Sequence, residues 1–313
     1  MAKATWDWEG RIGRRVKLRD IHVLSVVARS GSMAKAATHL GMSQSAVSEA
    51  IASLEDALSV KLLDRSSQGI EPTIYADVLL KRGNVVFDEL SQAIKDIEFL
   101  SKPTAGEVRV ASQEFFTAGF LPAVIERLSA RYPQVAVHVI EMNTALPEYR
   151  ELQERRADLA LHRVTAAYKN DDVNIEILFD DPQFVVVGAR SRWAQRRNVT
   201  LADLASEPWI LPPSLSAQNT IETAFAAIGL KPPSPMVRAS SVLLRFQLLA
   251  TGRFLSLSSP SLLKNNAKPW NIKTLPIKLP KPPPIAVITL KNRTLSPVVQ
   301  LFIEQLRGVA KTM

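Results

Sequence analysis

The sequence predicts a mixed α/β protein with a small helical domain, one long connecting helix and a larger C-terminal region. Three observations support this division. Two short amphipathic segments separated by a glycine occupy residues 31–58, and an apolar seam runs from Leu79 to Leu100. Beyond Glu107, short apolar runs alternate with amphipathic segments. At 313 residues, the chain is long enough for two or three domains.

Composition excludes several classes of site. The chain has no cysteine, which rules out disulfides and thiol nucleophiles and fits a reducing cytosol. The longest apolar stretch, residues 241–263, is interrupted by Arg245 and Arg253, so a membrane span is not expected. The first twenty residues are basic without an apolar core, which argues against a signal peptide. We therefore expect a cytoplasmic protein that does not contact membranes.

Net charge alone does not predict a nucleic-acid partner. The chain carries +9, but residues 1–100 hold 13 basic and 13 acidic residues, and the whole excess lies beyond them. Within the first part, residues 1–35 are basic, with 8 positive and 3 negative side chains. An argument for DNA binding must therefore rest on where the residues are placed.

Residues 31–58 have the pattern of two helices joined by a tight turn. Ser32 is a favourable N-cap for the first helix, Gly41 suits the left-handed position after it, and Ser43 caps the second helix. Apolar residues at helical spacing then form a buried stripe, which leaves the polar start of the second helix exposed. This is the helix-turn-helix arrangement, in which that exposed start enters the major groove of DNA.

The flanking segments complete a small domain. Residues 18–31 predict a preceding helix, and residues 60–73 predict two short strands, a wing. From spacing alone, an ordinary three-helix bundle without a ligand is the alternative.

Residues 18–76 resemble the winged helix-turn-helix of LysR-type transcriptional regulators. The resemblance lies in "GSMAKAATHLGMSQSAVSEAIASLEDALSVKLLDR" and the following "EPT". It implies that Gln44, Ser45 and Ser48 meet base edges or phosphates and that Arg65 in the wing contacts the DNA backbone. The full set of DNA-binding candidates is Ser32, Lys35, Ser43, Gln44, Ser45, Ser48 and Arg65.

The sequence departs from the family on this helix. Members often carry Arg or Lys at positions matching Glu49, Ala52 and Ser53, and this chain has none there. Our hypothesis is that backbone attraction comes instead from basic residues outside the second helix, and that this helix mainly reads sequence. These residues are the arm from Arg11 to Arg19 with Arg29, Lys35 and Arg65.

The connecting helix has a heptad seam. Its apolar positions follow steps of four and three: Leu79, Gly83, Val86, Leu90, Ala93, Ile97 and Leu100. Such a stripe needs a partner, either a second copy or the body of its own chain. The family resemblance implies pairing into a homo-oligomer, a dimer or a tetramer, and hence a partly palindromic DNA site.

The C-terminal region alternates strand-like and helical runs. Strand patterns at 107–112, 135–141 and 157–164 are separated by helical patterns at 118–133 and 147–156. This alternation predicts a parallel sheet covered by helices, with ligands bound beyond the carboxyl ends of the strands. A second unit follows "IEILFDDPQFVVVGAR", and the prolines within residues 276–284 indicate a return crossing.

This region resembles the effector domain of the same family, two α/β lobes similar to type 2 periplasmic binding proteins with a small-molecule cleft between them. The closest match is "VRVASQEFFTAGFLPAVIERLSARYPQVAVHV". The resemblance implies effector-binding residues at strand ends and in turns, namely Ser112, Gln113, Phe115, Asn143, Thr144, His162, Arg163, Ser214 and Ser216. The His162-Arg163 pair could equally be a solvated strand end.

The chemistry of the effector is left open. Arg163 and the basic excess after residue 100 would suit an anionic metabolite. The Ser, Asn, Gln and Phe side chains of the expected cleft would equally suit a sugar or an aromatic compound.

The expected organisation has four parts. They are a flexible basic extension at 1–16, the winged helix-turn-helix at 17–75, a linker and dimerisation helix at 76–105, and an effector domain at 106–311. Lobe I of that domain comprises about 106–180 and 282–311, and lobe II about 181–281.

Catalytic signatures are missing from the sequence. It has no H-E-x-x-H, G-x-S-x-G, G-x-G-x-x-G or G-K-[ST] pattern. Adjacent acidic pairs such as Asp171-Asp172 rarely converge on one metal, so we expect no enzyme, no cofactor and no metal site. A second alternative is a ligand-binding protein whose N-terminal domain serves only in assembly.

The sequence thus favours a LysR-type regulator whose DNA binding or activation responds to an effector in the C-terminal cleft. The partners implied by the resemblance are double-stranded DNA with an interrupted palindrome, often of the T-N11-A type, a small molecule, a second copy of the chain and RNA polymerase. Activator and repressor roles are both compatible with the sequence.

Overall fold

The computed structural model describes residues 15–66, 69–102, 105–142, 149–164 and 171–313. The chain divides into two compact units, Met1–Ser91 and Gln92–Met313. The start of the expected basic extension, with Arg11 and Arg14, lies outside the described residues. Within the described ranges, no helix is both long enough and apolar enough to cross a bilayer.

The first unit is a winged helix-turn-helix, as predicted. Three helices are followed by an antiparallel hairpin, in which Leu63 pairs with Pro72, and by the start of a long helix. In chain order the elements are α1 (Leu18–Ser30), α2 (Met33–Leu40), α3 (Gln44–Leu58), β1 (Leu63–Ser66), β2 (Gly69–Pro72) and α4 (Ile74–Ser101).

Local capping sets the boundaries of α2 and α3. The Ser32 hydroxyl accepts the Lys35 N–H at 3.5 Å, and the Ser43 hydroxyl accepts the Ala46 N–H at 3.2 Å. Gly41, with φ of 62°, adopts the left-handed conformation that ends α2. The start of each helix and the end of α2 are therefore set by the serine and glycine caps that the sequence predicts.

Glu55, near the end of α3, fixes the start of the wing. One carboxylate oxygen accepts the N–H groups of Leu62 and Leu63 at 2.8 and 3.4 Å, and the other lies 2.8 Å from Lys61 Nζ. Thr73 closes the hairpin by donating to the Lys61 carbonyl at 2.8 Å. The hairpin is thus anchored to the end of the helix that precedes it.

The heptad seam of α4 has two different environments. Gly83 is buried against α1, where a Cβ would lie 2.8 Å from Ile21, and Phe87 packs on the same core. Further along, Leu90 is 45% and Ile97 64% exposed. The early seam therefore packs within its own chain, and the later seam presents apolar side chains to solvent.

The second unit contains two five-stranded sheets. The first has the order β4-β3-β5-β12-β6, and the second has the order β11-β7-β10-β8-β9. The strands are β3 (Ala105–Ser112), β4 (Gln134–Glu141), β5 (Leu159–Arg163), β6 (Val173–Phe179), β7 (Phe184–Gly188), β8 (Trp209–Leu211), β9 (Val237–Arg238), β10 (Leu255–Ser258), β11 (Ile272–Thr274) and β12 (Ile285–Leu290).

Helices cover both sheets. Phe116, Phe120 and Phe302 centre the core of the first lobe, and Trp209 and Phe225 pack edge to face in the core of the second. The helices are α5 (Glu114–Gly119), α6 (Leu121–Arg131), α7 (Arg150–Gln153), α8 (Leu215–Ala226), α9 (Val242–Ala250), α10 (Pro260–Asn266) and α11 (Pro297–Ala310), with a 3₁₀ turn at Ala202–Leu204.

Two details differ from the sequence prediction. The sheets are mixed: β3 is parallel to β4 and β5, but β12 is antiparallel to β5, and β7 is antiparallel to β10. The reason is that β7 and β12 each follow a crossing from the other lobe, so they are not joined to their neighbours by helical crossovers within one sheet. The helix expected at 118–133 is two helices, α5 and α6, with Pro122 in the first turn of α6.

A buried carboxylate joins distant parts of the first lobe. Asp158 accepts the backbone N–H of Arg109 at 2.8 Å and its guanidinium at 2.9 Å, and Arg293 also donates to it at 2.8 Å. Burial alone would raise the pKa of Asp158. The hydrogen bonds and positive charges of the two arginines outweigh burial, so the pKa lies below its ordinary value.

We predict that Asp158 makes the second unit sensitive to acid. Because its folded-state pKa is lowered, its stabilisation is complete above the unfolded-state value near 3.8 and is lost as the pH falls through the lower folded-state value. Replacing Asp158 with Asn should cost about 3–5 kcal/mol at pH 7, since it removes the carboxylate that the buried guanidinium of Arg293 contacts. Urea unfolding at pH 7 and pH 3 checks this: the difference between wild type and variant should shrink at pH 3, and an unchanged difference would contradict it.

Candidate functional site

The exposed start of α3 is the first candidate site. Ser43, Gln44 and Ser45 are exposed and Ser48 is half-buried, whereas the opposite face buries Val47, Ile51 and Leu54. The hydroxyl oxygens of Ser43 and Ser45 lie 2.9 Å apart. This end of the helix therefore presents short polar groups that are able to donate and accept hydrogen bonds.

Exposed basic residues lie on the two helices that pack against α3. Lys35 on α2 and Arg29 at the end of α1 are exposed, and the Arg19 guanidinium lies 3.8 Å from the sulfur of Met42 in the turn. Arg65 lies in β1 opposite Ile70, but its side chain is not among the described ones. α3 itself has no Lys or Arg, and the hypothesis that charge comes from outside α3 stays a prediction.

The second candidate site is a cleft between the two lobes of the second unit. Two adjoining pockets, with empty volumes of about 660 and 880 Å³ that include open solvent, share Gln113, Arg163, Ser214 and Ser216. The first two residues follow or end strands of lobe I, and the serines begin α8 of lobe II. The cleft therefore lies where polar side chains from strand ends and turns converge.

Most of the expected effector-binding residues come together here. Gln113, Phe115, His162, Arg163, Ser214 and Ser216 line the cleft. Ser112 does not; it is buried in the strand end, and its hydroxyl donates to the Gln113 carbonyl at 3.2 Å. Asn143 and Thr144 lie outside the described residues.

Arg163 is not a solvated strand end. Its guanidinium donates to Asp181 at 2.9 Å and to the Pro283 carbonyl at 3.0 Å, and its Cζ lies 5.5 Å from the centre of the Phe115 ring. Burial lowers its pKa, although Asp181 acts in the opposite direction. Arg163 thus joins both crossing segments, with its charge balanced by a carboxylate.

Burial also affects His162. Burial lowers its pKa, and the positive charge of Arg163 acts in the same direction. The ring packs edge to face on Tyr149, with centroids 5.9 Å apart.

Contacts across the lobes surround the cleft. Asp181, between β6 and β7, accepts both the N–H and the hydroxyl of Ser261 at 3.2 and 2.8 Å. Glu114 accepts the N–H of Val242, the first residue of α9, at 2.8 Å. At Gly119, a Cβ would lie 2.9 Å from Leu262, so α5 and α10 approach closely.

Sequence reasoning missed several residues of the cleft, among them Arg245, Gln183 and Ser258. Arg245 appeared only as an interruption of an apolar run. Its signal was a charge at a position where helical periodicity demands a buried residue, and that signal becomes informative only when the neighbouring elements are known.

Several buried polar atoms of the cleft have no hydrogen-bond partner among the described residues. They are Arg163 Nε, Gln183 Oε1, Ser216 Oγ, Arg245 Nε and Ser258 Oγ. Buried polar groups are normally paired with protein or with ordered water, so these atoms are available to water or to a polar ligand in the cavity. In the described part of the chain, no group of three or more His, Asp or Glu residues is placed to hold a metal ion.

Comparison with known proteins covers both units. The family described as "Bacterial regulatory helix-turn-helix protein, lysR family" matches residues 18–76, and "LysR substrate binding domain" matches residues 101–311. The transcriptional regulator TdcA of Escherichia coli (strain K12) is 28% identical over 243 residues, 77% of this chain and 76% of TdcA. GbpR of Azospirillum brasilense is 24% identical over 306 residues, which cover 95% of this chain and 88% of GbpR.

Solved structures give the same architecture. The structure of CbnR in complex with its target DNA aligns with a TM-score of 0.66 at 20% identity, covering 94% of this chain and 100% of that chain. At this identity the likeness shows the fold.

The adjacent residues Asp180 and Asp181 allow a matched test of the tie between the lobes. Asp181 is buried with Arg163, whereas Asp180 is 55% exposed and pairs with the exposed Lys281. We predict that Asp181→Ala destabilises the second unit by about 3–5 kcal/mol, because it leaves a buried guanidinium without its anion. Asp180→Ala should cost at most about 1 kcal/mol. Urea unfolding followed by tryptophan fluorescence compares the two, and equal losses would mean that the Arg163–Asp181 pair is not a major tie.

Proposed function

Since this chain belongs to the LysR family of DNA-binding transcriptional regulators, we propose that a small molecule bound in its cleft controls how it acts on DNA. The observation that carries this proposal is the cleft itself, where buried polar atoms from both lobes converge without partners among the described residues. A ligand that binds one arrangement of the lobes more tightly than another shifts the population between them. In a regulator, that shift would change the placement of the DNA-binding heads.

The start of α3 is the proposed sequence reader. Glutamine can form a bidentate pair with adenine, and serine can donate to or accept from several bases. Gln44 and Ser45 are exposed at the helix start, as this role requires. Lys35, Arg29 and Arg65 are proposed to attract the phosphates, since backbone contacts fix the register but carry little sequence information.

The later seam of α4 is the proposed contact with a second copy. Gly83 packs on its own unit, and the later seam positions Val86, Leu90 and Ile97 are exposed. A row of this kind is stabilised by packing against another helix. A dimer or tetramer built this way would present paired heads to an interrupted palindrome.

RNA polymerase is the further partner that we propose, because the family acts on transcription. A protein that binds the chromosome works in the cytoplasm of a bacterium, and we propose that location. The family consists of regulators, and we propose no catalytic activity for this chain.

The competing function is ligand binding without DNA recognition. Substitution of Gln44 and Ser45 distinguishes it from the proposed function, because only a DNA-reading protein would lose specific DNA binding.

We predict that Gln44→Ala/Ser45→Ala abolishes enrichment of specific sites when fragmented DNA from the source genome is captured by the purified protein and sequenced. Each lost base contact should cost about 1–3 kcal/mol. Thr38→Ala removes an exposed hydroxyl from α2 and serves as the control, which should keep the wild-type sites. Specific enrichment that survives the double substitution would refute the assignment of the reading face, and no enrichment by the wild type at low salt would favour the ligand-binding alternative.

We predict that Leu90→Glu/Ile97→Glu dissociates the oligomer, because it places two charges on the apolar seam. The control is Asn84→Glu/Ser91→Glu, which changes two exposed polar residues of α4 with the same spacing of seven. Sedimentation velocity should show a smaller species for the first variant alone. The same mass for both variants would exclude this seam as the main contact.

A further inference from the structure

We propose that the ligand of the cleft is a small carboxylate whose anionic group binds to the guanidinium of Arg245. This inference rests on the proposed function, because it names the class of molecule that the cleft would take. It also separates two arginines that line the same cavity and have different roles.

Arg245 is a buried cation that lacks a close anion. It lies on α9, is 3% exposed, and donates through one terminal nitrogen to the Leu257 carbonyl at a long 3.4 Å. Its Nε has no partner among the described residues, and the one described carboxylate whose charge acts on it, Glu114, forms no hydrogen bond with it. A charge buried in this way is costly unless a partner reaches it, and the cavity is where a partner would bind.

The electrostatic cost of this position is visible. Burial lowers the pKa of Arg245 to about 10, although the charge of Glu114 acts in the opposite direction. One carboxylate oxygen of Glu114 accepts the N–H of Val242 at 2.8 Å, and Glu114 forms no hydrogen bond with Arg245 among the described contacts. Arg245 therefore stays protonated at neutral pH without a hydrogen-bonded carboxylate.

Arg163 contrasts with Arg245 in the same cavity. It already donates to Asp181 and to the Pro283 carbonyl, so its charge is balanced within the chain. Removing Asp181 from Arg163 to admit a ligand anion would break a buried pair. The anion is therefore better placed at Arg245, with Arg163 Nε as a neutralised neighbouring donor.

The surroundings fit one negative charge and an apolar body. The unpaired hydroxyls of Ser216 and Ser258 supply further donors, and Phe115, Leu257 and Leu262 supply apolar contacts. A guanidinium with neighbouring hydroxyls matches a planar carboxylate. Glu114 and Glu141 also line the cavity, and they would repel a dianion such as phosphate more than a monocarboxylate.

The first test compares ligands on the unmodified full-length chain. The probes are aliphatic and 2-hydroxy monocarboxylates of two to six carbons, each titrated by calorimetry beside its own primary amide. At least one carboxylate should have a dissociation constant about tenfold lower than that of its amide, because a charge-assisted hydrogen bond replaces a neutral one. If no carboxylate exceeds its amide, the proposal is wrong.

The second test uses variants with the best probe. Arg245→Met removes the charge at similar volume and should weaken binding about 10- to 100-fold. Arg253→Met is the matched control, because Arg253 is an exposed arginine of the same lobe that lines a different depression, and it should bind as the wild type does. Ser258→Ala leaves the charge unchanged and should weaken binding about threefold to tenfold. This second variant keeps the test decisive if Arg245→Met does not fold.

The outcomes separate this proposal from the one on which it rests. Sulfate or phosphate binding without carboxylate binding would overturn the carboxylate assignment in favour of an inorganic anion. If amides bind as tightly as their carboxylates and Arg245→Met does not change this binding, the carboxylate proposal is wrong, although the cleft still binds a ligand. Loss of specific DNA capture through Gln44 and Ser45 tests the regulator function separately and does not depend on the ligand.

Discussion

The arrangement of the two lobes depends on the buried ion pair between Arg163 and Asp181. Taking two charges out of water costs several kcal/mol for each ion, and only close geometry with further hydrogen bonds offsets this. Here Asp181 accepts from Ser261 as well as from Arg163, and Arg163 also reaches the carbonyl of Pro283. One cluster thus holds a strand end of the first lobe, both crossing segments and a helix of the second lobe. The walls of the cleft are positioned by this cluster.

The same cost explains why the charged residues of the second unit have different roles. Asp158 is surrounded by Arg109 and Arg293 and serves the fold of one lobe. Arg163 is matched by Asp181 and serves the relation between the lobes. Arg245 is equally buried but lacks such a match among the described residues, and its unpaired nitrogen lies with the unpaired serine hydroxyls of the cleft. Arg163 and Arg245 are therefore buried to a similar extent and differ in whether a carboxylate is hydrogen-bonded to the guanidinium.

The N-terminal unit is organised by shorter-range interactions. Serine caps, a glycine turn and the Glu55 contacts to the wing fix α2, α3 and the hairpin within a few residues of each partner. The start of α3 can therefore be short and polar, because its position does not depend on its own charges. In the proposed function, basic residues on neighbouring elements would attract the phosphates and the start of α3 would read the bases.

The sequence by itself determined the local elements and the order of the parts. The caps at Ser32 and Ser43, the seam of α4 and the polar strand ends at Gln113 and Arg163 are short-range patterns, and the structure has them at the predicted places. Tertiary structure decided the antiparallel partners β7 and β12, the division of the α4 seam and the burial of Arg245 beside the cleft. Each of these depends on a neighbour far away in the chain, and periodicity specifies which face is buried without specifying what covers it. The partner that distinguishes Arg163 from Arg245, a carboxylate 18 residues away for the first, is visible only after folding.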